Sequence, residues 1–281
     1  MIVDGWNVRA LSTGRFRLDG GAMFGNVPKV LWSRKHAADD KNRIELDLRV
    51  LLVEGFGRRV LVDTGTGNQW DAKEQAIFDV AVADEPGVCS ALRAAGVDPA
   101  EITDVVITHL HFDHAGGVTR RGPDGPTLTF PKARHHVQRA NMETASAPNE
   151  REKASYLVRT VGPLAGADLH LVDGAEEILP GLFAEPSDGH TTGLQTVRVG
   201  AGDGAVIFVA DMFPTAAHVP PAWTMGYDLC PRTLMKEKRA ILERAVRGGW
   251  ALVLEHDPFR DAVRVMEKDG RFEAAEDVAV Q

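Results

Sequence analysis

Cysteine is scarce: Cys89 and Cys230 are the only two in 281 residues. They stand far apart and in no Cys-x-x-Cys pair, which excludes a disulfide framework, and both are expected to be buried, reduced thiols. Long apolar runs are missing too. No stretch reaches the roughly 18 consecutive apolar residues of a membrane span, and the opening MIVDGWNVRAL has no basic segment followed by an apolar core, so no signal peptide is expected. Nor is there an excess of positive charge. With 32 Lys and Arg against 40 Asp and Glu the net charge is −8, which argues against non-specific binding to nucleic acid or to an anionic membrane. Low-complexity tracts, long linkers and short repeats are likewise absent. What is left is an ordinary globular composition, 44% hydrophobic and 26% charged, long enough to bury a sizeable core without covalent support. The expectation is one cytoplasmic domain over residues 1–281, as a monomer or homodimer.

Apolar-rich runs over residues 44–64 flank a turn at Gly55 to Arg58 and read as a β-hairpin, ending in Asp63-Thr64-Gly65-Thr66-Gly67. Residues 85–96 predict a short helix with Val88, Leu92 and Ala95 on one face. The β-branched run 104–108 predicts a buried strand that empties into His109-Leu110-His111-Phe112-Asp113-His114. A second hairpin turns at residues 121–125, and residues 138–160 look helical but polar, broken by Pro148, a candidate lid. Further strands are expected over 169–172, 182–185, 194–199, 206–210 and 250–254, with a helix over 232–247. Strands followed by helices in both halves predict a mixed α/β domain with two sheets.

Four metal-competent side chains, His109, His111, Asp113 and His114, fall within six residues at the end of a predicted strand. In extended chain, residues i and i+2 face the same way, so His109 and His111 can converge on one ion. A change to turn or helix after Phe112 aims Asp113 and His114 at a neighbouring position, and Gly116 and Gly117 suit such a change of direction. Three more residues stand at strand ends or in glycine-flanked turns: His190, Asp211 and His256. A carboxylate ending an apolar strand, as Asp211 does after 206–210, is poorly placed unless something pairs with it. Separate strand ends meet at ligand sites in α/β proteins.

Asp63-Thr64-Gly65, the segment HLHFDH at 109–114, and then His190, Asp211 and His256 together resemble the metallo-β-lactamase superfamily, over most of the chain. The resemblance implies a four-layer αββα sandwich of two mixed sheets flanked by helices, with metals along one edge. It implies that His109, His111 and His190 hold a first ion, that Asp113, His114 and His256 hold a second, and that Asp211 bridges both. Asp63 then orients ligands without binding metal. Two divalent ions are implied, Zn²⁺ first, with Fe²⁺, Mn²⁺ or Co²⁺ also suited to nitrogen and oxygen donors. A bridging hydroxide would be the nucleophile, because coordination lowers the pKa of water to about 7. Asp113, near the leaving group, would be the proton shuttle.

The ligand set differs from that of common zinc β-lactamases. His111 stands where the di-iron redox members carry Glu, and the acidic balance speaks against the nuclease members. Phe16 to Gly25 with the HFDHAGG segment resembles the lactonase-like group, which includes N-acyl homoserine lactonases and organophosphate hydrolases. The implied substrate is a small lactone or ester, with Met23, Phe24, Trp32, Trp223 and His218 as candidates for the pocket or simply for the core. Well-known members carry a tyrosine three residues after the bridging aspartate, where this chain has Pro214. Tyr227 is the candidate oxyanion donor in its place, and His218 a weaker one. Glyoxalase II-like thioester hydrolysis shares the seven ligands but usually adds a C-terminal helical domain. A metal-binding protein without catalysis is the alternative of another class.

Overall fold

The computed structural model describes residues 1–281. Strands β1 (Ile2–Val3), β2 (Trp6–Asp19), β3 (Arg43–Gly55), β4 (Arg58–Val62), β5 (Asp104–Val106), β6 (Thr119–Gly122), β7 (Gly125–Leu128), β8 (Arg134–Gln138) and β9 (Leu169–Val172) make up the N-terminal half. They are followed by β10 (Glu176–Leu179), β11 (Leu182–Ser187), β12 (Leu194–Val199), β13 (Val206–Phe208), β14 (Ala251–Val253), β15 (Ala262–Lys268) and β16 (Arg271–Val278). The helices are α1 (Gly20–Phe24), α2 (Lys29–Trp32), α3 (Ala72–Phe78), α4 (Gly87–Ala94), α5 (Phe112–Ala115), α6 (Arg139–Ser146), α7 (Val158–Leu164) and α8 (Pro231–Gly248). One seven-stranded sheet runs β1-β2-β3-β4-β5-β8-β9, a second runs β10 to β16 in sequence order, and β6 and β7 form a separate hairpin.

Alternation along the strands makes the layers. In β3, Leu51 and Val53 join the core between the sheets, whereas Val50 and Leu52 face outward against Val88, Cys89 and Leu92 of α4 and Leu164 of α7. In the second sheet Val206 and Phe208 face the shared core, and Ile207 packs with Leu234, Ile241 and Leu242 of α8. Because side chains alternate with a period of two, a strand apolar at every position must be covered on both faces. The result is the four-layer αββα arrangement expected from the resemblance.

Two parallel junctions fix where the site forms. β4 pairs parallel with β5, the connection carrying α4, and β13 pairs parallel with β14, the connection carrying α8. Parallel neighbours need such crossovers, which bring their C-terminal ends to one side.

The sequence reading differs from the structure in several places. The long β2 and the C-terminal hairpin β15–β16 carry no clear apolar pattern, because exposed or half-exposed Arg, Glu and Asp interrupt them. Residues 138–160 hold α6 and the start of α7, separated by Pro148 and by turns over 150–155. Cys89 is buried, but Cys230 is exposed, contrary to expectation. It precedes Pro231 at the start of α8, where its thiol lies 3.0 Å from Thr233 Oγ1 and not in the core.

Candidate metal centre

His109, Asp211 and His256 each lie three residues beyond the end of a short buried strand, β5, β13 and β14 respectively, and Asp63 directly follows β4. Beyond β5 the backbone bends at Thr108, and from an extended His111 (φ −65°, ψ 156°) it turns into α5, whose first turn carries Asp113. Glycine permits this reversal to pack on the Asp63-Thr64-Gly65 loop: a Cβ at Gly116 would stand 2.3 Å from the Thr66 carbonyl oxygen, and one at Gly117 2.2 Å from that of Thr64. Thr64 N–H in turn donates to His114 O at 2.8 Å. At the other strand end, Ala210 takes a left-handed φ of 45°. Such strain in a non-glycine residue clusters at functional sites, and here it carries the chain into Asp211.

Two side-chain clusters result. His109 Nε2 and His190 Nε2 lie 3.0 and 3.2 Å from His111 Nδ1, and Asp211 Oδ2 is 3.2 Å from His190 Nε2. On the other side His256 Nε2 is 3.2 Å from His114 Nε2, 3.3 Å from Asp211 Oδ1 and 3.7 Å from Asp113 Oδ2. Asp211 thus presents one oxygen to each cluster, and its buried Oδ1 accepts no hydrogen bond.

The outer face of each ring explains why these atoms need a cation. His190 Nδ1–H donates to Asp228 Oδ1 at 2.8 Å, and His256 Nδ1–H to the Asp47 carbonyl at 2.9 Å. His114 Nδ1 lies 2.8 Å from Glu255 Oε2 and 3.1 Å from Asp63 Oδ2. His109 Nδ1 lies 3.1 Å from Thr108 Oγ1, which donates to Asp63 Oδ2 at 2.6 Å, while Thr108 N–H donates to Oδ1 at 2.7 Å. With the outer protons of His109, His114, His190 and His256 held this way, their Nε2 atoms converge inside with Nδ1 of His111, an arrangement that repels unless a cation lies between them. A tetrahedral ion with metal–nitrogen bonds near 2.05 Å has ligand separations of about 3.3 Å, close to the spacings found. All-nitrogen-and-oxygen donors suit borderline divalent ions.

In the metal-free chain the electrostatics divide the rings, and nearby carboxylates raise His114, His190 and His256 despite their burial. Burial, reinforced by the neighbouring imidazoles, holds His109 and His111 well below the usual histidine range, in the neutral form a metal requires. Burial opposes charge on Asp211, yet His114, His190 and His256 hold its carboxyl well below the ordinary value. Burial also opposes charge on His256, but Asp211 and Glu255 outweigh it and raise the imidazole to about 9. Burial pushes the Asp113 carboxyl up.

Asp228, Glu255 and Thr108 were not singled out in the sequence. Glu255 and Thr108 adjoin ligands, so proximity was their only signal; Asp228 lies 38 positions from His190 and had none.

The clusters open on a cavity of about 280 Å³. Leu18, Met23, Phe78, Phe112 and Met225 give it apolar lining, and Arg151 and Tyr227 add polar groups. Met23 and Tyr227 are therefore at the cavity, but Phe24, His218 and Trp223 are not among its lining residues. Phe24 is fully buried, stacked between His218 at 4.7 Å and Trp32 at 5.4 Å. His218 is held there by Thr215 Oγ1 at 2.8 Å and the Met23 carbonyl at 2.9 Å, and burial pushes its imidazole down to about 3. Trp223 packs edge-on to Phe24 and faces a different cavity. Arg151, Glu152, Ala154 and Ser155, between α6 and α7, cover part of the metal-side cavity, and Arg151 bonds to the Gly226 and Asp228 carbonyls. Tyr227 is 38% exposed, and burial together with Asp113, Asp19 and Asp211 pushes its phenol up, so it stays a donor.

The sequence profile of the metallo-beta-lactamase superfamily matches residues 49–256. The N-acyl homoserine lactonase AttM of Rhizobium johnstonii is 26% identical over 215 residues, covering 74% of this chain and 77% of its own. A probable metallo-hydrolase of Mycobacterium bovis is 32% identical over 192 residues, 60% of this chain and 58% of its own. Among solved structures, a probable metal-dependent hydrolase from Staphylococcus aureus superposes with a TM-score of 0.88 at 30% identity, covering 99% of this chain and 100% of that one. AidC, a dizinc quorum-quenching lactonase, shares the fold with a TM-score of 0.79 at 18% identity, covering 99% and 96%.

Proposed function

The chain belongs to the metallo-beta-lactamase superfamily, and on that premise we propose that it is a dinuclear metal-dependent hydrolase that opens a lactone or a related small ester. One observation carries the reading: Asp211 groups with His109, His111 and His190 and turns its other oxygen to His256 of the second cluster, at 3.3 Å, beside a partly apolar cavity. His109, His111 and His190 would hold one divalent ion, Asp113, His114 and His256 the other, with Zn²⁺ best suited to the donor set. When bound, such a pair supplies an ionised water near neutral pH and polarises a scissile carbonyl.

The chain's own residues do the rest. Asp63, Asp228 and Glu255 orient the imidazoles from outside. Tyr227 donates its hydroxyl to the carbonyl oxygen as negative charge develops there, the task for which Pro214 leaves no side-chain donor. Asp113, which lines the cavity, would take the proton of the hydroxyl added to the carbonyl carbon and return it to the alkoxide that leaves. The apolar lining receives the acyl chain, and a cavity of about 280 Å³ favours a short one, since drug-sized ligand pockets span roughly 300–1,000 Å³. The curated relatives named as lactonases support this choice.

Lactones of graded acyl length, aryl phosphotriesters and glutathione thioesters are to be turned over by zinc-, manganese- and cobalt-loaded protein with metal analysis alongside. Short-chain lactones should exceed the other classes in kcat/KM by at least tenfold. Tyr227→Phe should lower kcat by about 10- to 1,000-fold. Fewer than two ions per chain, or no lactone turnover, refutes the reading; an unchanged kcat in Tyr227→Phe removes Tyr227 from it.

A further inference from the structure

Apart from the metal clusters the molecule has a second, larger cavity of about 970 Å³, lined by none of the seven proposed ligands. Segments 216–223, α8, the start of β16 and residues 35–36 form its walls. Six of its 20 lining residues are Lys35, Arg232, Lys236, Arg239, Arg260 and Arg271, against two acids, in a chain of net charge −8. Of the six cations only Arg260 has a carboxylate partner, Asp277 at 3.3 Å. One of the acids, Asp257, is buried and turned onto backbone, accepting from Ala216 N–H at 2.8 Å, Phe259 N–H at 2.9 Å and Arg260 N–H at 3.1 Å. The other, Glu273, lines the same cavity without an ion pair to any of the six, and Arg239 lies over the Phe272 ring at 5.5 Å.

Helix α8 shows that this charge is held against local preference. Arg232, Lys236 and Arg239 recur at i, i+4 and i+7, on the side away from buried Leu234, Ile241 and Leu242. Like charges at this spacing destabilise a helix. Arg232 also lies in the first turn, where the helix dipole disfavours a cation and no acidic residue compensates. Departures from local rules are expected where a ligand supplies the missing partner. Two aromatic side chains, Trp223 and Phe259, the latter 71% exposed, add flat apolar surface to the same walls.

We propose that this cavity binds a multiply charged phosphate anion, either free polyphosphate or the phosphate chain of a nucleotide. Guanidinium groups pair with phosphate oxygens two at a time, and the volume is that of a small-molecule site. The site is independent of the hydrolase reading, and its test needs no turnover.

Tripolyphosphate and magnesium-saturated ATP are titrated calorimetrically into the metal-loaded full chain in 50 mM NaCl. Binding is expected in the micromolar range, with a marked loss in 200 mM NaCl. The triple variant R232A/K236A/R239A should bind at least 30-fold more weakly, while Asp211→Ala, which removes the shared carboxylate of the metal clusters, should bind as the parent does. Tripolyphosphate should raise the melting temperature of the parent and not of the triple variant. Equal affinities for the two probes assign free polyphosphate; tighter ATP binding that Phe259→Ala levels assigns a nucleotide. Undiminished binding by the triple variant, loss of binding in Asp211→Ala, or a dimer closed over this face that takes up no anion overturns the proposal.

Discussion

Asp228→Asn tests the logic of the metal centre with almost no change in shape. The carboxylate serves two buried donors: Oδ1 takes His190 Nδ1–H at 2.8 Å, and Oδ2 takes Met225 N–H at 2.7 Å. An amide has one oxygen, so one of the two must lose its acceptor. If the amide oxygen keeps Met225, its NH₂ faces His190 Nδ1, and the imidazole must carry its proton on Nε2, the atom 3.2 Å from both His111 Nδ1 and Asp211 Oδ2. That tautomer cannot ligate. If the oxygen turns to His190, two N–H groups oppose each other at Met225, which costs about 1–3 kcal/mol of stability. Either way the anionic partner that makes His190 a better donor is gone. Outer partners of this kind are worth about 10- to 100-fold in metal affinity, or about 1.4–2.7 kcal/mol. Chelator competition with zinc measures the affinity, and urea unfolding of the metal-free chain measures the stability. A variant within threefold of parental affinity and within about 0.5 kcal/mol of parental stability, the scatter of neutral surface changes, would refute the claim that His190 is oriented from behind.

Three further outcomes follow from the same geometry. Gly116→Ala drives a methyl to 2.3 Å from the Thr66 carbonyl, so it should cost about 1–3 kcal/mol in thermal or urea unfolding and weaken metal uptake; a stable variant with full metal content would contradict the tight packing of the two loops. In the metal-free chain His256 is raised to about 9, so its proton stabilises the fold fully below its unfolded pKa near 6.5, and that stabilisation fades as pH rises through 9. A cation needs the neutral ring, so zinc affinity should rise by at least about tenfold per pH unit between these limits; chelator competition at pH 6.5 and 8.5 reads this, and a pH-independent constant would rule it out. Asp211→Ala should lose metal and activity together, because its carboxylate turns one oxygen to His190 and the other to His256, and a variant with two ions per chain and full turnover would remove Asp211 from the bridging position.

The outer partners divide the labour between side chain and backbone. Asp63 reaches His114 directly and His109 through Thr108, so one carboxylate at the end of β4 aligns a ring in each cluster. Its φ of 59° is a left-handed value that few non-glycine residues adopt, and the three bonds it makes to His114 and Thr108 hold it there. His256 is aligned instead by the Asp47 carbonyl of β3, which ties the last metal-side residue to the third strand of the first sheet.

Local chemistry along the chain determined a good deal by itself. Short apolar runs ending in His or Asp mark strands buried on both faces, because such runs have no other stable place, and a polar side chain at their end must find a partner. The spacing in HLHFDH needs only extended chain followed by a helical turn to aim four donors at two positions. Other features depend on contacts between distant segments and leave no trace in any window of sequence. The pairing of β13 with β14 across α8 decides that Asp211 and His256 meet, and loop 223–229 decides that Asp228 lies behind His190. Phe24 and His218 look like pocket residues by type, but stacking on each other and on Trp32 takes them out of reach of substrate. The basic cavity is the sharpest case: Lys35, Arg232 and Arg271 are scattered over the chain beneath an acidic net charge, and only the packing of α8, residues 35–36 and the β15–β16 hairpin gathers them around one cavity.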